Sequence, residues 1–220
     1  MENNKYSLFD IIGVRYQDIL NIPELAIGEG VTTFFGPSGS GKTSILKLLN
    51  RLISPTSGQI FYKGTALEHT DPIDHRRKVV MLSQNPVMFK GSIKDNLNAS
   101  FRFRNHLVPE DKTLSDVLEN VGLDKDLGFL VDKLSGGEKQ RLALARVILL
   151  KPEVYLLDEP SSALDDNSAD VIIETLYQRV RSESKSMIMV THSKSIAQKY
   201  SNNIINVTGG KIISRGFSDE

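Results

Sequence analysis

Four short apolar runs divide the chain into regular segments. Each run is almost continuously apolar, which is typical of strands that are buried on both faces of a sheet. The runs are VTTFF (31–35), VVMLS (79–83), VYLLD (154–158) and SMIMVT (186–191). Helical periodicity occurs between them, as in SILKLLNRLI after the first run and ADVIIETLYQRV after the third. This alternation predicts an α/β fold with a mostly parallel sheet that is flanked by helices.

The pattern changes at both ends of the chain. Up to about residue 60, short alternating strands predict an N-terminal antiparallel β region. Its breaks are Pro23, Gly28, Gly30 and Gly58. Near the other end, IINV-TGG-KIIS places two glycines between two β-branched runs, which predicts a hairpin.

Residues 85–150 are predicted to form an inserted helical subdomain. They carry little strand signal, include the helical pattern DKTLSDVLENVGL (111–123), and end in the helix LSGGEKQRLALARVILL. No long linker or internal repeat marks a second domain. We therefore expect a single domain, 1–220, whose core comprises 1–84 and 151–220.

Composition removes several classes of function. Lys+Arg and Asp+Glu are both 27, so the formal net charge is zero and provides no overall attraction for nucleic acid or anionic membranes. There are no cysteines, which excludes disulfides and thiolate metal sites. No apolar stretch approaches the ~20 residues that span a bilayer, and MENNKYSLFD does not read as a signal peptide. A role at a membrane would therefore require a partner's helices.

The charge run HRRK is interpreted as the solvated edge of a strand. It lies at 75–78, directly before an apolar run. A short cluster of this kind can also bind nucleic acid, but solvated edges are more common. We expect no nucleic-acid partner.

The first candidate site is the glycine-rich GPSGSGKT, which matches the P-loop pattern G-x-x-x-x-G-K-[ST] between a predicted strand and a predicted helix. Its glycines let backbone N–H groups face a phosphate. Lys42 would reach the β- and γ-phosphates, and the Thr43 hydroxyl would bind Mg²⁺. The alternative is a plain Gly/Ser turn, which does not explain the flanking elements. The predicted nucleotide-binding residues are Gly36, Pro37, Ser38, Gly39, Ser40, Gly41, Lys42, Thr43 and Ser44.

The second candidate site is the acidic pair at the end of VYLLDEP. Asp158 ends an apolar strand, at the sheet edge where ligands bind in open α/β folds, and is predicted to hold the magnesium shell. Glu159 follows and is placed to polarise a water that attacks the γ-phosphate. Two solvated acids at a strand end are the alternative, which the P-loop makes less favourable.

Together these motifs point to one family. The P-loop, LSGGE, VYLLDEP, SALD and MVTHS occur in this order over nearly the whole chain. The chain resembles the ATPase subunit of ATP-binding-cassette (ABC) transporters, and LSGGE is the most specific part of the resemblance. The resemblance implies an ABC-ATPase core of the P-loop NTPase class, with ATP and Mg²⁺ as cofactors and ATP hydrolysis as the reaction.

The resemblance also implies an ATP-dependent dimer, either a homodimer or a heterodimer. In the family two subunits meet head to tail, and each LSGGE covers the nucleotide on the other subunit's P-loop. Ser135, Gly136 and Gly137 would contact the partner's γ-phosphate, and Asp165 of SALD would cross the interface. Glu138 replaces the more common glutamine, and its carboxylate is acceptable there only if it points away from the phosphates.

Three further residues take roles by the same resemblance. Gln84 follows a strand, as the family's Q-loop glutamine does, and would touch Mg²⁺ or the attacking water. His192 in MVTHS would contact the γ-phosphate and help Glu159 position the water. Tyr16 matches the aromatic residue that stacks on adenine. Isolated residues of these types are more often structural, and a cross-strand role for Tyr16 stays open.

The resemblance finally implies an integral membrane permease as partner, and a peripheral location on the cytoplasmic face of the membrane. Val87, Met88 and Phe89 would dock on the permease, with a place in the helical core as the alternative. A non-transport ABC ATPase that acts as a mechanical or regulatory switch is the second functional hypothesis. A small-molecule kinase would leave LSGGE and MVTHS unexplained. Cargo and direction of transport stay open, because the cassette contacts ATP and the permease.

Overall fold

The computed structural model describes residues 7–104, 106–161 and 166–216 and contains two β-sheets with helices packed around them. The strands are β1 (Phe9–Tyr16), β2 (Leu20–Ile27), β3 (Val31–Phe35), β4 (Ser57–Tyr62), β5 (Thr65–Ala66), β6 (Val79–Leu82), β7 (Val154–Asp158), β8 (Ser186–Val190), β9 (Asn203–Thr208) and β10 (Lys211–Arg215). The helices are α1 (Lys42–Leu49), α2 (Pro72–Lys78), α3 (Ile93–Phe103), α4 (Asp111–Asn120), α5 (Gly136–Leu149), α6 (Asp166–Ser182) and α7 (Lys194–Tyr200).

The two sheets follow the predicted division. The smaller sheet has the order β2-β1-β4-β5 and is antiparallel throughout. The larger has the order β10-β9-β3-β8-β7-β6, and all its pairs are parallel except the terminal hairpin β9–β10. The predicted α/β class, the N-terminal antiparallel region and the hairpin are therefore confirmed.

The parallel sheet separates two hydrophobic clusters, because successive residues of a strand point to opposite faces. In β7, Val154 and Leu156 pack toward α1 and the antiparallel sheet. Tyr155 and Leu157 pack on the other side, in the cluster that holds residues of α3 to α6. All five residues of β7 are buried, as its continuous apolar run predicts.

The charge run HRRK lies in a helix, which corrects the predicted strand edge. It forms the end of α2. His75 is buried, and its Nε2 lies 2.7 Å from the carbonyl oxygen of Leu49. Burial lowers the pKa of His75 and so favours the neutral ring. Arg77 pairs with Asp74 at 2.8 Å. The run is therefore part of a helix packed on α1, with one member inside the protein.

Three helices, α3 to α5, fall within the predicted insertion, whose limits as a subdomain stay a prediction.

A buried asparagine ties α3 to the preceding segment. Asn96 Oδ1 accepts from the Phe89 N–H at 2.9 Å, and its Nδ2 donates to the carbonyls of Phe89 and Ser92 at 2.9 and 3.0 Å. The Asn96 side chain thus joins the segment that follows Gln84 to α3.

We expect Asn96→Leu to lower the free energy of unfolding by about 2 kcal/mol, because it removes three hydrogen bonds made by a fully buried side chain. Asn98→Leu on the same helix is the matched control. The Asn98 side chain is also buried, but its Oδ1 has no hydrogen-bond partner within the described part of the chain. Urea unfolding of both variants measures the difference. Equal losses would show that the three bonds of Asn96 contribute nothing specific.

Candidate functional site

The glycine-rich loop joins the end of β3 to the start of α1. Gly41 directly precedes α1 and has φ of 96°, which glycine adopts far more readily than other residues. A Cβ at Gly41 would lie 2.5 Å from Leu20 Cδ2. The first turn of an α-helix has N–H groups without partners in the helix. The loop therefore ends at donors that suit phosphate oxygens.

Lys42 is folded onto the loop that it is predicted to serve. Its Nζ donates to the carbonyl oxygens of Gly36 at 2.8 Å and Pro37 at 2.6 Å, and it lies 3.4 Å from Ser40 Oγ. Burial lowers the pKa of Lys42, and the carboxylates of Glu159 and Asp158 partly oppose that effect. The ammonium group thus lies among the loop carbonyls and close to both acids.

Thr43 and Asp158 form the second part of the site. Thr43 Oγ1 donates to Asp158 Oδ1 at 2.9 Å. Asp158 is 3% exposed, and burial raises its pKa, while the Thr43 hydrogen bond acts in the opposite direction. A desolvated carboxylate beside a hydroxyl provides the hard oxygen donors that Mg²⁺ prefers. These two residues fit a magnesium site.

Glu159 is held by two of the predicted residues. Gln84 Nε2 donates to one carboxylate oxygen at 2.7 Å, and His192 Nε2 lies 2.5 Å from the other. The Glu159 N–H donates to the Val190 carbonyl at 3.0 Å. Its φ is 49°, a left-handed conformation that costs about 1–2 kcal/mol for a residue with a Cβ. The structure therefore brings Glu159, Gln84 and His192 together, in agreement with their predicted proximity.

Parallel strands explain why these residues meet. Gln84, Glu159 and His192 follow the C-terminal ends of β6, β7 and β8, which are neighbours in the sheet. The glycine-rich loop follows β3, the next strand. Parallel strands deliver their C-terminal ends to one edge, which is where open α/β sheets bind ligands.

The LSGGE segment forms the start of α5. Ser135 is the N-cap, and its Oγ accepts from the Glu138 N–H at 3.3 Å. The Glu138 carboxylate accepts from the Ser135 N–H at 2.8 Å and pairs with Lys125 at 3.4 Å. The N–H and hydroxyl of Ser135 hold the pKa of Glu138 below its usual value. The Glu138 carboxylate is thus turned back onto the cap of its own helix.

Gly136 and Gly137 form the first turn of α5. Within the described residues, no hydrogen bond or ion pair joins the LSGGE segment to the glycine-rich loop. The segment therefore provides a second helix start that belongs to a separate part of the surface.

The remaining predicted residues differ in how far the structure describes them. Tyr16 is the last residue of β1, lies partly exposed opposite Leu20, and packs against the core of the antiparallel sheet. Because Leu20 touches Gly41, Tyr16 lies close to the loop, and adenine stacking stays a prediction. Asp165 lies outside the described residues. The other loop residues, Ser38, Gly39 and Ser44, keep their predicted roles as expectations.

The segment after Gln84 lines an open groove with a volume of about 300 Å³. Val87 is 72% exposed, and the rings of Phe89 and Phe103 lie 5.7 Å apart. Arg146 donates to the Val87 carbonyl at 2.8 Å and lies over the Phe89 ring. Met88 instead packs against the hydrophobic core, so the alternative interpretation holds for that residue.

Sequence reasoning missed two contributors to the groove and one neighbour of the loop. Phe103 and Arg146 lie on α3 and α5, and no local pattern shows that the two helices meet beside Val87. Gly210 lies in the hairpin turn and donates to the Ser40 carbonyl at 3.1 Å. The TGG signal predicts the turn but not the element that it contacts.

The comparisons with known proteins agree on one family. The family model described as ABC transporter matches residues 21–162. A probable iron export ATP-binding protein, FetA of Escherichia coli, is 38% identical over 160 residues, 72% of this chain and 71% of its own. An Fe(3+) ions import ATP-binding protein, FbpC of Photobacterium profundum, is 34% identical over 225 residues. That alignment covers all of this chain but only 64% of the relative, so the chain spans less than two thirds of its length.

Solved structures share the fold. A dimeric ATP-binding cassette in a post-hydrolysis state with ADP and Pi superimposes with a TM-score of 0.84 at 23% identity, over 94% of this chain and 97% of that one. CbiO1 of Clostridium perfringens, described as part of the transporter complex CbiONQ, gives 0.81 at 25% identity, over 96% and 88%.

We expect Asp158→Asn to stabilise the nucleotide-free chain by about 1 kcal/mol at pH 7.5, a common gain when a strained functional residue is replaced. A carboxyl group whose pKa is raised by folding lowers the free energy of unfolding at pH values above its pKa in the unfolded chain. The loss of stability grows as the pH rises toward the pKa of the group in the folded protein. The asparagine oxygen can still accept from Thr43.

Thermal unfolding at several pH values tests this expectation. Below the unfolded pKa of aspartate, near 3.9, the variant and the wild type should converge because both side chains are then neutral. A variant that is less stable than the wild type at pH 7.5 would contradict the interpretation that burial of the charge is costly.

Proposed function

Because the chain belongs to the ABC transporter family, we propose that it is the ATP-binding and ATP-hydrolysing subunit of a multi-subunit transporter. One observation carries the proposal. Glu159 is held by Gln84 and His192 beside the Thr43–Asp158 pair, at the edge where the glycine-rich loop begins. A fixed base, a cation site and a phosphate cradle are the parts that phosphoryl transfer to water requires.

Each residue of the site would have a separate role in hydrolysis. Lys42 would exchange the carbonyls of Gly36 and Pro37 for the β- and γ-phosphates. Thr43 and Asp158 would hold Mg²⁺, which neutralises charge on the phosphates.

The carboxylate of Glu159 would orient the attacking water and accept its proton. His192 and Gln84 would keep that carboxylate in place. When the site fills, the ring N–H of His192 would contact the γ-phosphate, and the side-chain amide of Gln84 would contact the water. The transferred phosphoryl group leaves as phosphate, and ADP remains on the loop.

We further propose that two cassettes enclose the nucleotides between them. The start of α5 would face the partner's γ-phosphate, with the hydroxyl of Ser135 and the N–H groups of Gly136 and Gly137 as donors. Glu138 supports this arrangement because its charge is engaged by Ser135 N–H and Lys125. A two-fold dimer would create both sites from one pair of surfaces.

The groove beside Val87 is proposed to receive the permease. Its exposed Val87 and Phe103 and its open shape suit an apolar helix segment, and the rim carries the guanidinium of Arg146. No helix in the described part of the chain is long and apolar enough to cross a bilayer. We propose that the chain lies on the cytoplasmic face of the membrane and is bound there through a permease. Relatives of the chain differ in cargo and in direction of transport, so the proposal specifies neither.

We expect Glu159→Gln to bind ATP but to lower turnover by at least about 10²-fold, since it removes the general base. The uncleaved γ-phosphate should hold the dimer together. Light scattering with MgATP should then report twice the 24.5 kDa of the chain. Turnover at the wild-type rate would remove Glu159 from this role.

A matched pair in the Glu159→Gln background separates dimerisation from nucleotide binding. Asp and Asn both replace Ser as helix N-caps, so Ser135→Asp and Ser135→Asn should fold alike. Only the aspartate places a negative charge toward the partner's phosphates. We expect Ser135→Asp to bind ATP as a monomer and Ser135→Asn to dimerise. A dimer of both variants would contradict the proposed contact.

The permease proposal is tested by purifying the tagged chain from its own cells in a mild detergent. We expect a polytopic membrane protein to co-purify in stoichiometric amount. Phe103→Asp should no longer co-purify with it, because the substitution places a charge in the groove. Ile213→Asp is the control, since Ile213 is also a large exposed apolar residue but lies on β10.

Retention of the partner by both variants would exclude the groove as the interface. Recovery of soluble partners alone would favour the second hypothesis, in which the same ATPase acts as a mechanical or regulatory switch on another protein.

A further inference from the structure

The hairpin at the end of the β-sheet bridges two parts of the nucleotide site. The Gly210 N–H donates to the Ser40 carbonyl in the glycine-rich loop at 3.1 Å, and the Gly210 carbonyl accepts from the Asn21 N–H of β2 at 2.9 Å. A single buried residue therefore joins the loop to the strand that follows the predicted adenine-side residue, Tyr16.

The packing around this bridge is too tight for a side chain. A Cβ at Gly210 would lie 1.9 Å from the Ile19 carbonyl oxygen, closer than any real Cβ contact. At the other end of the loop, a Cβ at Gly36 would lie 2.0 Å from the Val207 carbonyl oxygen of β9. Gly209, the other glycine of the turn, is exposed and has open space around it.

Strand β2 also contacts the end of the glycine-rich loop directly. The Leu20 side chain lies against Gly41, and Leu20 pairs with Tyr16 across the β1–β2 turn. Contacts from β9, the hairpin turn and β2 thus surround a loop whose own residues are mostly small. A short loop of glycine and serine has little packing of its own to fix its backbone.

We propose that the turn of the β9–β10 hairpin, through Gly210, is a positioning element that aligns the glycine-rich loop with the β1–β2 turn for nucleotide binding. The loop carries the N–H donors for the phosphates, and β1–β2 carries the predicted adenine contact. One nucleotide must reach both, so their relative placement determines the fit. Gly210 touches no nucleotide atom in this proposal and acts only through Ser40 and Asn21.

The first test compares Gly210→Asn with Gly209→Asn in the full chain. Both glycines have positive φ, +74° and +53°, where asparagine is better tolerated than most residues. Binding of a fluorescent ADP analogue is measured by titration without magnesium, and the thermal midpoint is measured without nucleotide. We expect Gly210→Asn to weaken ADP binding about tenfold, since displacement of a binding group by a fraction of an ångström costs affinity. Gly209→Asn should stay within about twofold of the wild type.

A second variant breaks the bridge from its other end, at the hydrogen bond between Asn21 and Gly210. β2 is an edge strand, and its N–H groups at residues 21 and 23 point away from β1, where Pro23 already occupies one of these positions. Asn21→Pro therefore removes the donor to Gly210, and the proline Cδ, which takes the place of the amide hydrogen, also displaces the Gly210 carbonyl. We expect ADP binding to weaken at least about fivefold, at a temperature well below the midpoint.

The two readouts separate positioning from a general loss of stability. A lower midpoint with unchanged ADP affinity in both variants would overturn the proposal, because a merely structural role predicts that result. If Gly210→Asn does not fold, Asn21→Pro decides by its affinity alone. ADP binding by the single chain depends neither on the dimer nor on the permease, so failure of those proposals would leave this test intact.

Discussion

The register of the parallel sheet is the constraint on which the site depends. In β3, β8, β7 and β6, Phe34 pairs with Val190, Val190 with Asp158, and Leu157 with Leu82. The strand ends are therefore level, and the residues that follow them emerge at one edge. A shift of one residue in any pair would exchange that strand's side chains between the two hydrophobic clusters and would move the residues after the strand out of line. The burial of β7 on both faces thus fixes the acids at its end, and chemistry and core packing are set by the same pairing.

Several residues of the site are held in unfavourable electrostatic or backbone states. Burial acts against the charge of Lys42 and against the charge of Asp158, so the pKa of the lysine falls and that of the aspartate rises. Glu159 adds an unfavourable backbone conformation. These terms act on neighbouring residues, and phosphates with a cation would relieve the first two. Strain at functional residues is compensated by the remaining structure, here the two hydrophobic clusters on either side of the sheet.

Local sequence predicted the parts of this fold that depend on local pattern. The buried strands, the glycine-rich loop and the acids at the end of β7 each have a signal within a few residues, whereas Gln84 and His192 were predicted from the resemblance to the family. The failures involve contacts between distant segments. His75 belongs to a charge run, yet its ring is buried against Leu49 on another helix. Met88 packs inward beside exposed Val87, and the contact of Gly210 with Ser40 spans most of the chain. No periodicity encodes such pairings.

The position of β3 in the sheet has a consequence for biosynthesis. This strand, which leads into the glycine-rich loop, pairs only with β8 and β9 in the sheet order. A ribosome makes those partners about 150 residues after β3, or ~8–30 s later at ordinary elongation rates. During that interval the emerging chain holds an apolar strand with two unpaired edges. The antiparallel sheet can form early from its own consecutive strands, whereas the ATP site can form only after β8 and β9 have been made. Factors that bind exposed apolar segments on nascent chains would therefore find the strand before the P-loop unpaired for longer than β6 or β7.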